Sequence, residues 1–404
     1  MHAIFKRITG IMFSAGTIGM PMLAAAQISG DVVKIGFITD ISGLYSDIDG
    51  QGGVEAIKMA IADFGGTVNG KKIELVYADH QNKADVAASK AREWIDQQGV
   101  DVLIGGTNSG AVLAMNKIAA EKKKPIIVVS AGAARFTNED CTPYTVHYSY
   151  DTVALSKVAG AAIVKQDGDS WYFLTADYAF GSALEKDASE VVTAAGGKVV
   201  GSLRHPLNAA DFGSFMLQAQ ASKAKILALA NSGGDTINSI KAANEFGITK
   251  TMKLAGLLMF ITDVHALGLG LTQDMYLADA WYWDLNPVSR AWSKRYFDKM
   301  KKQPSSTHAA DYSATLTYLN AVKLAGTDDG DKVMAALKSY KINDMFAKDA
   351  YIRGDGRMIH EMYLMQVKKP AESKYPWDYY RVIARVPGEK AFASKAESKC
   401  ALWK

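Results

Sequence analysis

A few short segments combine small residues with hydroxyl or amide side chains in a way that suits docking a small anion. Gly105-Gly106-Thr107-Asn108-Ser109 stands between an apolar run and an amphipathic one. Its glycines permit a tight turn, and the helix start that follows offers free N–H groups and a partial positive charge, to which Thr107, Asn108 or Ser109 would add side-chain donors. The plain alternative is an ordinary strand-to-helix turn with an N-cap. No lysine of a phosphate loop accompanies it, so nucleotide binding is not supported. Val129-Ser130-Ala131-Gly132-Ala133 follows the next apolar run, where small residues allow close backbone approach or simply economical packing. Asp177-Tyr178-Ala179-Phe180-Gly181 and Asn231-Ser232-Gly233-Gly234-Asp235 occupy corresponding places later in the chain, Leu44-Tyr45 follows the first apolar run, and Trp281-Tyr282-Trp283 ends a late one. These aromatics serve either a ligand or the core.

Bond-making chemistry has no comparable signature. No serine is flanked as GxSxG, HExxH does not occur, and the seven histidines are isolated. His360-Glu361 and Asp328-Asp329-Gly330-Asp331 lack metal-ligand spacing, and Gly268-Leu269-Gly270 lacks the strand, third glycine and helix of a dinucleotide fingerprint. Neither a catalytic residue, a metal site nor a cofactor is expected.

The candidate loops need rigid elements to aim them. Alternation of apolar runs with 3.6-residue periodicity predicts strands at Val32–Thr39, Lys72–Ala78, Val102–Gly105 and Ile126–Ser130, with helices over 52–64, 85–98 and 109–122 between them. Such a series folds as a parallel sheet covered on both faces, and every candidate loop then falls at a strand's carboxyl end, where open α/β sheets bind ligands. After an extended aromatic segment at Cys141–Tyr150 the series restarts: helix 152–165, strand 171–175, helix 181–195, strand 198–203, helix 212–221, strand 226–230, helix 236–246 and a strand near 253–255. Two runs of one architecture imply two similar α/β lobes. Strand 275–282 and helices 289–300, 310–325 and 332–337 follow. The helices are expected to pack back on lobe one. A strand pair, Ala350–Ile352 with Met362–Lys368 turning at Gly354-Asp355-Gly356, would return to lobe two. About three crossings between lobes result. The expected division is lobe one from 31–147 with about 283–348, lobe two from 148–282 with about 349–390, and a tail at 391–404.

Composition is consistent with two packed cores. The 404 residues are 49% hydrophobic and 22% charged, which excludes disorder, and a formal net charge of +4 with dispersed basic residues gives no nucleic-acid footprint. Lys6 and Arg7 precede an apolar stretch from Ile8 to Leu23 and then Ala24-Ala25-Ala26, the pattern of a cleaved export signal over 1–26. No cysteine stands near that cut for lipid anchoring. The mature chain is expected in a bacterial periplasm, and in that oxidising space Cys141 and Cys400 are most simply a disulfide.

Lys34-Ile35-Gly36-Phe37-Ile38-Thr39 with Gly43-Leu44-Tyr45, the IGGTNSG and VVSAGA loops, the ADYAFG turn and the GGD turn with AANEFGI together resemble the leucine/isoleucine/valine-type periplasmic solute-binding proteins, receptors of branched-chain amino acid ABC importers. The resemblance covers essentially the whole chain after 26. It implies two Rossmann-like lobes joined by three hinge strands that close on ligand, an inner-membrane permease as partner and a monomeric receptor. By position it carries the carboxylate-binding role to Ser109 with the Thr107–Asn108 loop and to Ser130 with the Ala131, Gly132 and Ala133 backbone, and the ligand-covering role to Tyr45, Tyr178 and Phe180.

One departure bears on the ligand. Amino acid receptors of this family place an acidic residue, which pairs with the ligand ammonium, in the segment that here reads Gly256-Leu257-Leu258-Met259-Phe260. Asp235, from the turn with Ser232, would be a substitute at a different place. A buried ammonium without a counter-charge is disfavoured by several kcal/mol. The expected ligand is therefore a small carboxylate with an apolar or aromatic body, an aromatic acid or a 2-oxo acid, with branched-chain or aromatic amino acids kept as alternatives. Met259, Phe260 and Trp281, Tyr282 and Trp283 would supply walls. An amide, urea or sensory receptor on the same fold is the competing reading, and a secreted enzyme a remoter one.

Overall fold

The computed structural model describes residues 2, 27–166 and 168–403. The expected export signal, residue 2 apart, lies outside the described residues. Lobe one is built on strands β1 (Val32–Thr39), β2 (Thr67–Val68), β3 (Lys71–Asp79), β4 (Val102–Gly105), β5 (Ile126–Val128) and β6 (Thr145–His147), in the spatial order β2-β3-β1-β4-β5-β6. All its pairings are parallel except that of the short β2 with β3. β1, β4 and β5 are nearly continuous apolar runs because helices cover both faces: 84–98 and 109–121 on one side, 50–64 with 306–325 on the other.

Lobe two repeats this arrangement. β7 (Ser170–Ala176), β8 (Lys198–His205), β9 (Ile226–Ala230) and β10 (Lys253–Gly256) form a parallel sheet in the order β8-β7-β9-β10, the counterpart of β3-β1-β4-β5. A separate three-stranded antiparallel sheet takes in β11 (Tyr276–Asp279). The fold is thus α/β, two Rossmann-like lobes of the type I periplasmic binding protein class, with mostly parallel sheets and a hinge of three crossings, after β6, after β11 and ahead of residue 362.

Two sequence expectations are corrected. The hairpin turning at Gly354–Gly356 joins β12 (Tyr351–Ile352) to β13 (Met358–Ile359) and lies on lobe one's edge, where His147 bridges Arg357. β14 (Met362–Val367) instead finds two long antiparallel partners in lobe two, β11 and β15 (Tyr380–Val386), and buries five of its six residues. The helix expected over 152–165 is interrupted by a π turn at Ser156–Gly160, where the Ser156 hydroxyl donates to the Thr152 carbonyl 2.6 Å away. Among the described residues no helix is long and apolar enough to cross a membrane.

The cysteine expectation holds: Cys141 and Cys400 are disulfide-bonded. The bond fixes the C-terminal tail to lobe one. On its way the tail touches lobe two, where Glu397 accepts from Lys157 at 2.8 Å, and the hairpin, where the Arg353 guanidinium donates to the Ala393 carbonyl at 2.7 Å.

Candidate functional site

Between the lobes, at the carboxyl ends of both parallel sheets, lies a small cavity with about 20 Å³ of free volume. With the lobes closed this is room for about one water molecule, far below the ~300–1,000 Å³ of drug-sized ligand sites, so a solute would enter only when the lobes part. Lobe one lines it with Tyr45, Ile48, Thr107, Asn108, Ser109, Ser130, Ala131 and Gly132. From the hinge and lobe two come Tyr150, Tyr178, Phe180, Ser232 and Leu258.

The lobe-one floor is held from behind. Asn108 takes a left-handed conformation, φ +65°, and its side chain accepts from the Ala111 amide at 3.1 Å and donates to Asn82, so it shapes the loop. Thr107 is likewise engaged: its hydroxyl accepts from the Asp40 amide, its own amide donates to Thr39 Oγ1 at 3.2 Å, and its carbonyl meets His80 Nε2 at 2.9 Å. Neither glycine before it takes a positive φ. Gly106 is required by close approach, since a Cβ there would lie 2.1 Å from Thr39 Oγ1 and 2.5 Å from Asp49 Oδ2.

Two serines remain for a ligand. Ser109 begins the 109–121 helix, whose first amides have no intrahelical acceptor, and its hydroxyl oxygen accepts from the Ala133 amide at 3.1 Å, leaving the hydroxyl proton. The Ser130 hydroxyl is buried with no hydrogen-bond partner among the described residues. Opposite, the helices beginning at Ala179 and Gly234 also start beside the cavity. Three helix N-termini therefore face one space, a setting that favours a negative charge.

The upper wall is aromatic. Tyr45 and Tyr178 stack across the cleft with ring centroids 6.4 Å apart, and the Tyr45 hydroxyl donates to that of Tyr178 at 2.9 Å. Burial raises both phenols above their ordinary range, so both stay neutral. The Gly234 amide donates to the Leu44 carbonyl at 3.3 Å, a second bond between lobes. The cleft is closed.

Four expected site residues stand outside this wall, each for a local reason. The Ala133 amide is spent on Ser109. Asp235 lies behind the Ser232 turn, where Oδ2 accepts from the Asn208 amide at 3.2 Å and burial pushes its carboxyl up to about 6. Met259 turns into the lobe-two core against Gly256 and Met275. Trp281 packs edge-on to Trp292 and donates to the Met345 carbonyl at 3.0 Å, which makes it part of the hinge. Tyr282 and Trp283 are similarly committed to the Trp377 carbonyl, and Phe260 packs against Tyr150.

Ile48, Tyr150 and Leu258 complete the cavity without having been expected there. Tyr150 belongs to the first interlobe crossing and anchors Ser130 by donating to its carbonyl at 2.7 Å. Its signal was the aromatic alternation Tyr148-Ser149-Tyr150, since a crossing segment must pass the cleft. No charged side chain lines the cavity among the described residues.

Comparison with known proteins agrees with this geometry. A periplasmic binding protein family model matches residues 32–373. A periplasmic binding protein from Burkholderia mallei is 69% identical, covers 93% of this chain and 100% of its own, and superposes with a TM-score of 0.92. A branched chain amino acid ABC transporter periplasmic ligand-binding protein from Burkholderia xenovorans is 38% identical over 92% of this chain and 99% of its own, with a TM-score of 0.81. An ABC transporter solute binding protein from Rhodopseudomonas palustris, solved in complex with 3,4-dihydroxy benzoic acid, is 25% identical over 89% of this chain and 98% of its own, with a TM-score of 0.80. Among curated relatives, a Leu/Ile/Val-binding protein homologue from Brucella melitensis is 29% identical over 256 residues, 61% of this chain, and the match spans 64% of that relative's length. The chain belongs to the periplasmic binding protein family.

Proposed function

We propose that this chain is the periplasmic receptor of an ABC importer, and that its solute is a small carboxylic acid with a neutral aromatic or apolar body. The observation that carries the reading is the makeup of the cavity: the Ser109 and Ser130 hydroxyls and one helix N-terminus on the lobe-one side, two further helix N-termini with Ser232, Tyr178, Phe180 and Leu258 on the other, and no charged side chain in the wall among the described residues. A carboxylate finds donors there. An α-ammonium would be buried with no carboxylate facing it, at a penalty of several kcal/mol. The complex of the Rhodopseudomonas palustris relative with a dihydroxybenzoate supports the same class.

In this reading the carboxylate docks on Ser109, Ser130 and the loop amides of lobe one. Lobe two then closes over the ring through Tyr178 and Phe180, and the closed monomer is presented to the inner-membrane permease. No bond is made or broken. A thermal-shift series with benzoate, 3,4-dihydroxybenzoate, 4-methyl-2-oxopentanoate, leucine and valine tests the assignment. An acid at ~100 times its Kd stabilises by about 2.7 kcal/mol. Stabilisation by leucine or valine alone would overturn it. Ser130→Ala and Ser109→Ala each weaken binding of the stabilising acid by ~1–3 kcal/mol, roughly 5- to 150-fold in Kd, as read by calorimetry. Unchanged constants in both variants would remove the serines from the site.

A further inference from the structure

Directly behind the ligand floor, two carboxyl groups meet in the core of lobe one. Asp49, ahead of the 50–64 helix, and Asp311, on the 306–325 helix, are both fully buried and converge over Gly53, where a Cβ would lie 2.3 Å from Asp49 Oδ1 and 2.7 Å from Asp311 Oδ2. Asp49 Oδ2 accepts from Thr39 at 2.9 Å. The other three oxygens have no donor among the described residues, and no cation is paired with either group. Two ionised carboxylates so placed would repel each other in a dry core. One proton between them removes the repulsion and supplies the missing hydrogen bond.

The pair is wired to the ligand loops. Thr39, which donates to Asp49, accepts from the Thr107 amide; Asp49 Oδ2 presses on Gly106; and Ser130, which lines the cavity, has its hydroxyl within reach of Asp49. Beyond the pair itself, the neighbouring charge that acts on Asp49 is Asp40, which raises it further. His308 donates Nε2–H to the Asp49 carbonyl and is held neutral, its proton affinity lowered to about 4 by burial. Tyr296, against Gly52, and Tyr150, across the cavity, are neutral phenols raised by burial. His80 and His147, behind the two loops, are both lowered by burial. Asp40 caps the Gly43 and Tyr45 amides, while Asp47 pairs with Lys302 at the surface and Glu55 with Lys299.

We propose that Asp49 and Asp311 share a proton that an anion docked at Ser130 holds more tightly, so that on binding the receptor takes up a proton from solvent at any pH where the empty pair has begun to lose it. The inference rests on the carboxylate reading above. Burial raises both groups, Asp311 the more strongly, with Asp49's charge as its second cause. A second anion placed beyond Ser130 raises them further. Binding therefore weakens with rising pH, by at most about tenfold per pH unit for one proton. A carboxylic acid ligand is itself ionised throughout that range.

Two measurements test this. The first is calorimetry of benzoate binding in a pH series running upward from neutral, in buffers of different ionisation enthalpy. It is expected to show net proton uptake in the native protein and in Asp235→Asn, and none in Asp311→Asn. Zero uptake in the native protein overturns the proposal, as does uptake lost with Asp235 and kept without Asp311. The second needs no ligand. Groups raised in the folded state bind protons there that the unfolded chain releases, so the native protein loses stability relative to Asp311→Asn as pH rises above the ordinary carboxylate range. Parallel melting-temperature profiles for the native protein, Asp311→Asn and Asp49→Asn would overturn the shared proton. If benzoate fails to bind while these profiles diverge, the ligand reading falls and the carboxyl pair stands.

Discussion

Arg357→Met is expected to destabilise the protein by about 3–5 kcal/mol, read as a lowered denaturant midpoint. The side chain is fully buried at the hinge. Its guanidinium donates to the Tyr150 carbonyl at 3.1 Å, the Tyr148 carbonyl at 2.5 Å and the Met358 carbonyl at 3.0 Å, and lies 3.6 Å from Asp151. It thereby joins the first interlobe crossing to the third. Phe392 of the tail covers it, with the guanidinium carbon 4.2 Å from the ring centroid, and burial lowers its proton affinity to about 10, still far above neutral. Methionine fills much of the same volume but leaves three carbonyls without donors and a buried Asp151 without its cation. A loss below about 1 kcal/mol would show that these crossings are held by packing alone.

Loss of the Cys141–Cys400 bond has an effect of similar size, up to about 4–5 kcal/mol on the chain-entropy account, because the closed loop spans 259 positions. The consequence is also local. Freed of its tether, the tail loses the Asn138 acceptor for the Lys399 amide, the Lys157–Glu397 ion pair and the stacking of Trp403 on Arg353 at 3.8 Å. Phe392 would then be free to lift from Arg357. The comparison is between oxidised protein and the Cys141→Ser, Cys400→Ser double variant, by midpoint in denaturant. Equal midpoints would mean that the tail is held without its bond.

Most of the scaffold was legible because its signals are local. β1, β4 and β9 coincide with apolar runs bounded by polar or glycine residues, and the loops after β4 and β5 line the interlobe cavity because both end strands of one parallel sheet at its carboxyl edge. Pairings beyond neighbouring segments were not. The turn at Gly354–Gly356 marked a hairpin, yet nothing nearby showed that Met362–Val367 had longer partners in β11 and β15. Apolarity alone also failed to separate wall from core. Met259 and Leu258 are adjacent and alike in sequence, and only Leu258 faces the cavity. Tyr150 and Trp281 stand on different interlobe crossings; one reaches the interlobe cavity and the other the hinge. The Asp49–Asp311 contact joins residues from opposite ends of lobe one, and no spacing rule brings them together.

The central claim is that the cleft accepts a carboxylate and has no partner for an ammonium. Paired calorimetric titrations test it most directly, with benzoate against leucine and 4-methyl-2-oxopentanoate against leucine. The second pair shares its carbon skeleton and carboxylate and differs at the α-carbon, an oxo group against an ammonium. The account predicts that at least one acid binds more tightly than leucine by about tenfold or more, some 1.4 kcal/mol. Leucine binding more tightly than both acids would contradict it.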